Sequence, residues 1–264
     1  MIHPDAIISD ADGTLVDTVH LIHHGQYETA KTYLGLKGVQ LIPSYEAYEQ
    51  ILHQAIGGSA RDTLEKTVKL IYEHTPEHLY GLNFDELHDL LNPIQDEIAP
   101  EFVKGYEGLS HFLEGLGRMG IKLGIFTSGT AHHVVRNFGI SLPELGLTRL
   151  YKVSELSDEV KLRQFEHAVE AYFGIPRFTV VTCDDVPAHK PDPASLNLAM
   201  QRLGVSPEKS LVFGDHSVDM KAGINAKVSQ CIGVTHGFGV DKELIDAGAT
   251  QVVHSLDELC HLLA

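Results

Sequence analysis

Cysteine is scarce in this chain, and so is positive charge. Cys183, Cys231 and Cys260 are the only three cysteines in 264 residues, and they stand far apart. An odd, scattered set gives neither a disulfide framework nor a Cys-x-x-Cys metal pair, so the thiols are expected to be reduced and mostly buried. Lys and Arg total 20 against 36 Asp and Glu, for a formal net charge of −16. A surface of that sign repels phosphate backbones and argues against nucleic acid as a partner. It also opposes any anionic small molecule unless cations gather where that molecule binds. No run of about 18 apolar residues occurs, so neither a membrane span nor a membrane partner is expected. The first residues do not join a basic segment to an apolar one, so no signal peptide is read and a cytoplasmic location is expected.

Some things are plentiful. Hydrophobic residues make up 43% of the chain, enough for a sizeable core. Histidine is abundant at 17 residues. No His-Glu-x-x-His helix is present, and the pairs His23-His24 and His132-His133 lack a third ligand at useful spacing. These imidazoles are read as solvated or structural ahead of a zinc site.

The most informative stretch runs from Ala6 to Asp17, AIISDADGTLVD. The short apolar run Ala6–Ser9 reads as a buried strand and leads into Asp10 and Asp12, followed by a Gly-Thr turn. If extended geometry continues through the pair, alternation puts both carboxylates on one side. Carboxylates aimed into one space repel unless a cation or a shared proton relieves them.

Other short runs rich in Val and Ile predict buried parallel strands at Lys122–Phe126, Thr179–Cys183, Ser210–Phe213, Gln230–Val234 and Gln251–Val253. Helical patterns fall between many of them, at Glu107–Met119, Pro193–Leu203 and Ser217–Ile224, with glycine stops at Gly120 and Gly204. Alternating strands and helices predict an α/β fold, a parallel sheet covered on both faces. From about Thr18 to Pro100 the pattern is helical throughout: Val19–Tyr33, Tyr45–Ile56, Ala60–Glu73 and Phe84–Ile98. Pro93 is expected to kink or split the last of these. Ser59 and Asn83 are candidate N-caps.

Four polar clusters fall at predicted C-terminal strand ends, where ligands bind in open α/β sheets. They are Asp10-x-Asp12-Gly13-Thr14, Thr127-Ser128-Gly129, Lys190 before Pro191, and Gly214-Asp215-His216-Ser217-Val218-Asp219. Each alone has an ordinary reading as a turn, a cap or a solvated lysine. Together they suit phosphoryl transfer. Four carboxylates call for a hard divalent cation, Mg²⁺. Lys190, the Thr127 hydroxyl and the amides of the Thr127–Gly129 turn can hold a phosphate.

This set, in this order, resembles the haloacid dehalogenase superfamily, in its phosphoglycolate-phosphatase and β-phosphoglucomutase-like branch. The resemblance implies a Rossmann-like parallel-sheet core from residues 1–16 and 103–264, with an inserted α-helical cap domain at 17–102. Within the cap, Ile56-Gly57-Gly58-Ser59-Ala60-Arg61-Asp62 resembles the cap loop of phosphoglycolate-phosphatase-like members. The implied catalytic residues are Asp10, a nucleophile that becomes an aspartyl phosphate, and Asp12, an acid and then a base. Thr127, the Ser128 backbone amide and Lys190 are the implied phosphate ligands. Mg²⁺ is implied at Asp10, the Asp12 backbone carbonyl, Asp215 and Asp219. Asp12 favours a phosphate ester over a carbon–halogen bond, because halide leaves without a proton. Arg61 is a candidate partner for a substrate carboxylate.

The expected activity is hydrolysis of a small phosphorylated metabolite by a monomer or homodimer. A phosphomutase acting on a sugar phosphate is the alternative. A cap lysine (Lys31, Lys37, Lys66 or Lys69) leaves imine-forming phosphonate cleavage open. A phospho-acceptor signalling module belongs to another class and is about half this length. The interval from Thr127 to Lys190 is longer than the family pattern, with the surplus at about Val134–Phe173. A dimer contact, a pocket wall and neutral decoration are open for it, with decoration ranked first. His216 is read as supporting the site or solvated.

Overall fold

The computed structural model describes residues 4–39, 42–55 and 59–263. They divide into two compact units, residues 1–18 with 103–264 and residues 19–102.

The larger unit carries eight strands: β1 (Ala6–Ser9), β2 (Val16–Asp17), β3 (Lys104–Gly105), β4 (Lys122–Phe126), β5 (Phe178–Val181), β6 (Ser210–Gly214), β7 (Gln230–Val234) and β8 (Gln251–Val253). Six form one parallel sheet in the order β5-β4-β1-β6-β7-β8. The chain leaves β1 for β4 and β5 on one side, then returns to build β6, β7 and β8 on the other. The order therefore reverses at β1, which is where an open α/β sheet leaves a crevice at its strand ends. Every residue of β1 is buried, as a strand covered on both faces requires. The short antiparallel pair β2–β3 joins Asp17 to Lys104, bringing together the two points where the inserted segment departs and returns.

The helices are α1 (Val19–Leu36), α2 (Tyr45–Ala55), α3 (Ala60–Ile71), α4 (Phe84–Phe102), α5 (Leu109–Met119), α6 (Ala131–Ser141), α7 (Asp158–Phe173), α8 (Ala194–Leu203), α9 (Ser217–Ala226), α10 (Asp241–Asp246) and α11 (Leu256–Leu263). Leu196, Ala199, Met200 and Leu203 of α8 pack with Met220 and Ala222 of α9 on Ile8, Val181 and Val212 of the sheet. The architecture is the expected α/β fold. Strands β1, β4, β7 and β8 have their predicted bounds. β5 begins a residue earlier than predicted and stops before Thr182, whose amide and hydroxyl both donate to Asp185 (2.8 Å each) and turn the chain.

The segment 134–173 is structural rather than decorative. Phe165 of α7 is buried between Phe138 and Phe178, with ring centroids 5.5 and 5.7 Å away. α7 also closes the sheet edge. The outward amides of β5 donate to carboxylates one helical turn apart, Val180 to Glu166 (2.7 Å) and Phe178 to Glu170 (2.8 Å). An open edge strand is an aggregation template, and these acceptors occupy it.

Among the described residues of the smaller unit, all regular structure is helical. Tyr33, Leu34, Tyr48, Leu52, Leu64, Val68, Leu87 and Leu91 form its core. Ser59 caps α3 through a reciprocal pair with Asp62, both bonds 3.1 Å. Asn83 caps α4 by accepting from the Asp85 amide (3.0 Å). Of the two outcomes expected at Pro93, a kink or a split, the split does not occur: α4 runs through it from Phe84 to Phe102. Pro93 and Asp89 are both exposed, so the Asp89 carbonyl that loses its partner lies on the solvent side. Leu87, Leu91, Gln95 and Ala99 keep a buried stripe on the opposite face. Residues 56–58 of the cap-loop resemblance lie outside the described residues. No described helix is long and apolar enough to cross a membrane.

Glu166→Ala removes the acceptor of a buried amide and is expected to cost about 1–3 kcal/mol. A lower urea midpoint at unchanged slope, with Glu166→Gln close to wild type, is the expected result.

Candidate active site

The sheet reversal sets the stage for the site. Asp10 directly follows β1, with its amide donating to the Phe213 carbonyl (2.8 Å). Thr127 follows β4, and Asp215 follows β6. Three strand ends therefore deliver three of the predicted residues to one edge.

Asp10, Asp215 and Asp219 are all buried, and one carboxylate oxygen from each lies within 4.8 Å of the other two. Lys190 is equally buried. Its Nζ donates to Asp10 Oδ1 and to Asp219 Oδ1, the latter at 2.8 Å, and sits 3.9 Å above the centre of the Phe126 ring. Other donors fix the carboxylates. The Thr14 hydroxyl lies 3.0 Å from Asp215 Oδ1 and 3.4 Å from Asp10 Oδ2. The Phe238 amide donates to Asp215 Oδ2 (2.7 Å), and the His216 amide to Asp219 Oδ2 (3.0 Å). His216 is thus the N-cap residue of α9 and acts by holding Asp219.

One ammonium against three carboxylates leaves two negative charges. At an effective dielectric constant of 20, like charges at this spacing repel by about 3–4 kcal/mol per pair. Burial, the most important cause, and the Asp219 charge push Asp215 up to about 7. Burial raises Asp10 well above the carboxylate range, with Lys190 pulling the other way and Asp219 and Asp215 adding to the rise. Burial would lower Lys190, but Asp10 and Asp219 outweigh it and hold the ammonium charged. A buried all-oxygen donor set with two uncompensated charges fits a hard divalent cation.

Asp12 departs from the simple alternation. β1 ends at Ser9, and the amides of Thr14, Leu15 and Val16 all reach back to the Ala11 carbonyl (3.3, 2.9 and 3.1 Å). That turn sends the Asp12 carboxylate to the Asn137 side chain, Oδ1 to Nδ2 at 2.8 Å. Asp10 shares its space with Asp215 and Asp219 instead. Asn137 is itself oriented by Arg136, whose Nε donates to Asn137 Oδ1 (3.0 Å). Burial raises Asp12 from the ordinary carboxylate range, and the Asn137 bond works against it.

The Thr127 hydroxyl accepts from the Gly129 amide (2.9 Å), which leaves its own hydrogen to donate. The Thr127 amide is spent on the Val181 carbonyl (3.0 Å). Of the three amides in this turn, that of Ser128 has no acceptor among the described residues. Arg61 lies in the helical unit, exposed on the first turn of α3, with no ion pair among the described residues.

Sequence reading missed Asn137 and the loop after β7. His236 Nε2 donates to the Thr14 carbonyl (2.8 Å), and its ring stacks on Tyr106 with centroids 3.8 Å apart. A Cβ on Gly237 would lie 2.1 Å from the Gly13 carbonyl oxygen. Gly13 has φ +81°, and a Cβ there would lie 2.3 Å from Asp215 Oδ2. Both glycines are required by close approach around Asp215. The Gly237-Phe238-Gly239 run at a strand end was the available signal.

Comparison with known proteins agrees with this arrangement. The sequence profile of haloacid dehalogenase-like hydrolases matches residues 4–227. The chain belongs to that family. The pyrophosphatase PpaX of Bacillus velezensis is 30% identical to this hydrolase over 224 residues, 84% of this chain and 79% of the relative. Two solved structures share the fold. A predicted phosphoglycolate phosphatase from Haemophilus somnus has a TM-score of 0.70 at 18% identity, with both chains covered completely. CbbY from Rhodobacter sphaeroides, in complex with phosphate, has a TM-score of 0.64 at 21% identity, covering 97% of this hydrolase and 96% of CbbY.

Asp215 titrates near 7 when folded and near 3.8 when unfolded. Between those values the folded protein keeps a proton that the unfolded chain has lost. Its stabilising effect is full below about pH 4 and disappears as pH rises through 7, at up to about 1.4 kcal/mol per unit. Chelator-treated protein is therefore expected to melt at a lower temperature at pH 8 than at pH 5. Added Mg²⁺ should raise the melting temperature more at pH 8, because protons compete at pH 5.

Proposed function

We propose that this hydrolase is a Mg²⁺-dependent phosphatase that removes the phosphoryl group of a small organic phosphate by way of an aspartyl phosphate on Asp10. The observation that carries this reading is the buried Asp10, Asp215 and Asp219 cluster with a single lysine among them. Mg²⁺, held by Asp10, the Asp12 backbone carbonyl, Asp215 and Asp219, would offset the remaining charge and shield the attacking carboxylate from the incoming phosphate.

In this mechanism an Asp10 carboxylate oxygen attacks phosphorus and the bond to the leaving oxygen breaks. Asp12 gives its proton to that oxygen. A water then attacks the phosphoryl group, Asp12 takes the water's proton, and phosphate leaves with Asp10 regenerated. Burial raises the Asp12 pKa, the direction that favours its acting as an acid toward the leaving oxygen. Lys190, the Thr127 hydroxyl and the Ser128 amide hold the phosphoryl oxygens.

Inorganic pyrophosphate is the second substrate reading, supported by the 30% identity to a protein named a pyrophosphatase. Transfer to a second sugar hydroxyl uses the same residues and needs only that water be excluded. Imine chemistry needs a lysine held neutral. Lys31 and Lys37 are instead held charged by Glu28 and Glu86.

A screen for phosphate release with Mg²⁺ should cover p-nitrophenyl phosphate, phosphoglycolate, sugar phosphates, nucleotides, phosphonoacetaldehyde and pyrophosphate. Asp10→Asn is expected to lower turnover by roughly 10³-fold or more; activity that survives it contradicts the mechanism. Asp12→Asn is expected to give a burst of one equivalent of p-nitrophenol followed by slow turnover, because p-nitrophenolate leaves without a proton. If Arg61 binds a substrate carboxylate, Arg61→Ala raises KM more than it lowers kcat on phosphoglycolate. No change in either parameter removes Arg61 from the site.

A further inference from the structure

The proposed chemistry assigns no role to the histidines of the helical unit. His23 of α1 is buried, with Nδ1 2.8 Å from Glu49 Oε1 of α2. Glu49 and His53 are four residues apart on α2 and so share a face. The His53 ring meets the His23 ring edge-on, with centroids 5.2 Å apart at 88°. One ligand atom from each of His23, Glu49 and His53 lies within 4.8 Å of the other two. Burial falls from His23 through Glu49 to the exposed His53, which opens a route from solvent.

We propose that His23, Glu49 and His53 form a binding site for a divalent transition-metal ion of the zinc class. Two imidazole nitrogens and one carboxylate oxygen are a donor set for Zn²⁺ and its Co²⁺ analogue, whereas Mg²⁺ prefers oxygen alone. The site therefore differs in chemistry from the Asp10 cluster. A metal ion bound through His23 Nδ1 would take the place of the proton that this nitrogen shares with Glu49. Adjacent histidines in the sequence gave no third ligand at useful spacing. The fold supplies it from α2, which brings a Glu-x-x-x-His pair against α1. Bound metal would clamp α1 to α2 at this point.

The test uses the full chain, stripped with chelator and held in excess Mg²⁺ so that the carboxylate cluster is occupied. Zn²⁺ is titrated by calorimetry, and Co²⁺ by visible absorption. Wild-type protein is expected to bind one Zn²⁺ per chain, to show Co²⁺ ligand-field bands that Zn²⁺ abolishes, and to shift the His23 and His53 ring resonances. His53→Ala, on an exposed position, and Glu49→Gln should each weaken binding by roughly tenfold or more, with circular dichroism confirming a folded chain. Absence of Zn²⁺ binding by wild-type protein overturns the proposal. So does binding that both variants retain at full strength, which would place the metal elsewhere.

Discussion

The ammonium of Lys190 among the carboxylates of Asp10, Asp215 and Asp219 is the constraint on which the rest of this molecule depends. Burying three carboxylates with one cation is unfavourable, and nothing in the hydrophobic core calls for it. The neighbouring structure is organised to hold it. Thr14 supplies a hydroxyl, Phe238 and His216 supply amides, and Phe126 supplies an aromatic face beneath the ammonium. Gly13 and Gly237 leave out side chains that would collide there. Burial and the crowding of carboxylate charge, only partly offset by these donors, account for the raised Asp215 and Asp10 pKa values and for the fit to a divalent cation.

The sheet puts these groups where chemistry can use them. Because strand order reverses at β1, Asp10, Thr127 and Asp215 emerge from adjacent strands at one edge. The two aspartates of the opening motif are then separated in their surroundings by local structure. Asp10 continues the ladder and joins the acidic cluster, whereas the turn at Ala11 sends the Asp12 carboxylate to Asn137. A nucleophile beside cations and an acid in a less charged corner are what two-step phosphoryl transfer requires of a carboxylate pair. Family membership supplies the hydrolase, and the proposal adds the substrate class, the ion and the covalent step.

Much of this was legible in the sequence because it is local. The strand ends at Ser9, Phe126 and Val234 follow from apolar runs that stop at Asp10, Thr127 and Thr235, and Ser59 and Asn83 announce their helices by capping chemistry. What was not legible is tertiary. Asn137 meets Asp12 across 125 residues, and Glu49 meets His23 across 26. No periodicity encodes either. The edge-sealing carboxylates Glu166 and Glu170 look like ordinary surface residues of α7 until β5 is seen to run beside them. Whether Pro93 would split α4 was not legible, because its cost depends on which side of the helix loses a hydrogen bond, and solvent faces that side.

The central claim is that Asp10 carries the phosphoryl group during turnover, and rapid quenching of Asp12→Asn with a labelled phosphate ester tests it most directly. Acid-quenched protein, digested and mapped by mass spectrometry, should carry one hydroxylamine-sensitive phosphoryl group on residue 10, formed in the presence of Mg²⁺ and absent after chelation. Label on another residue, or product phosphate released in a single turnover with residue 10 unmodified throughout, would contradict the account.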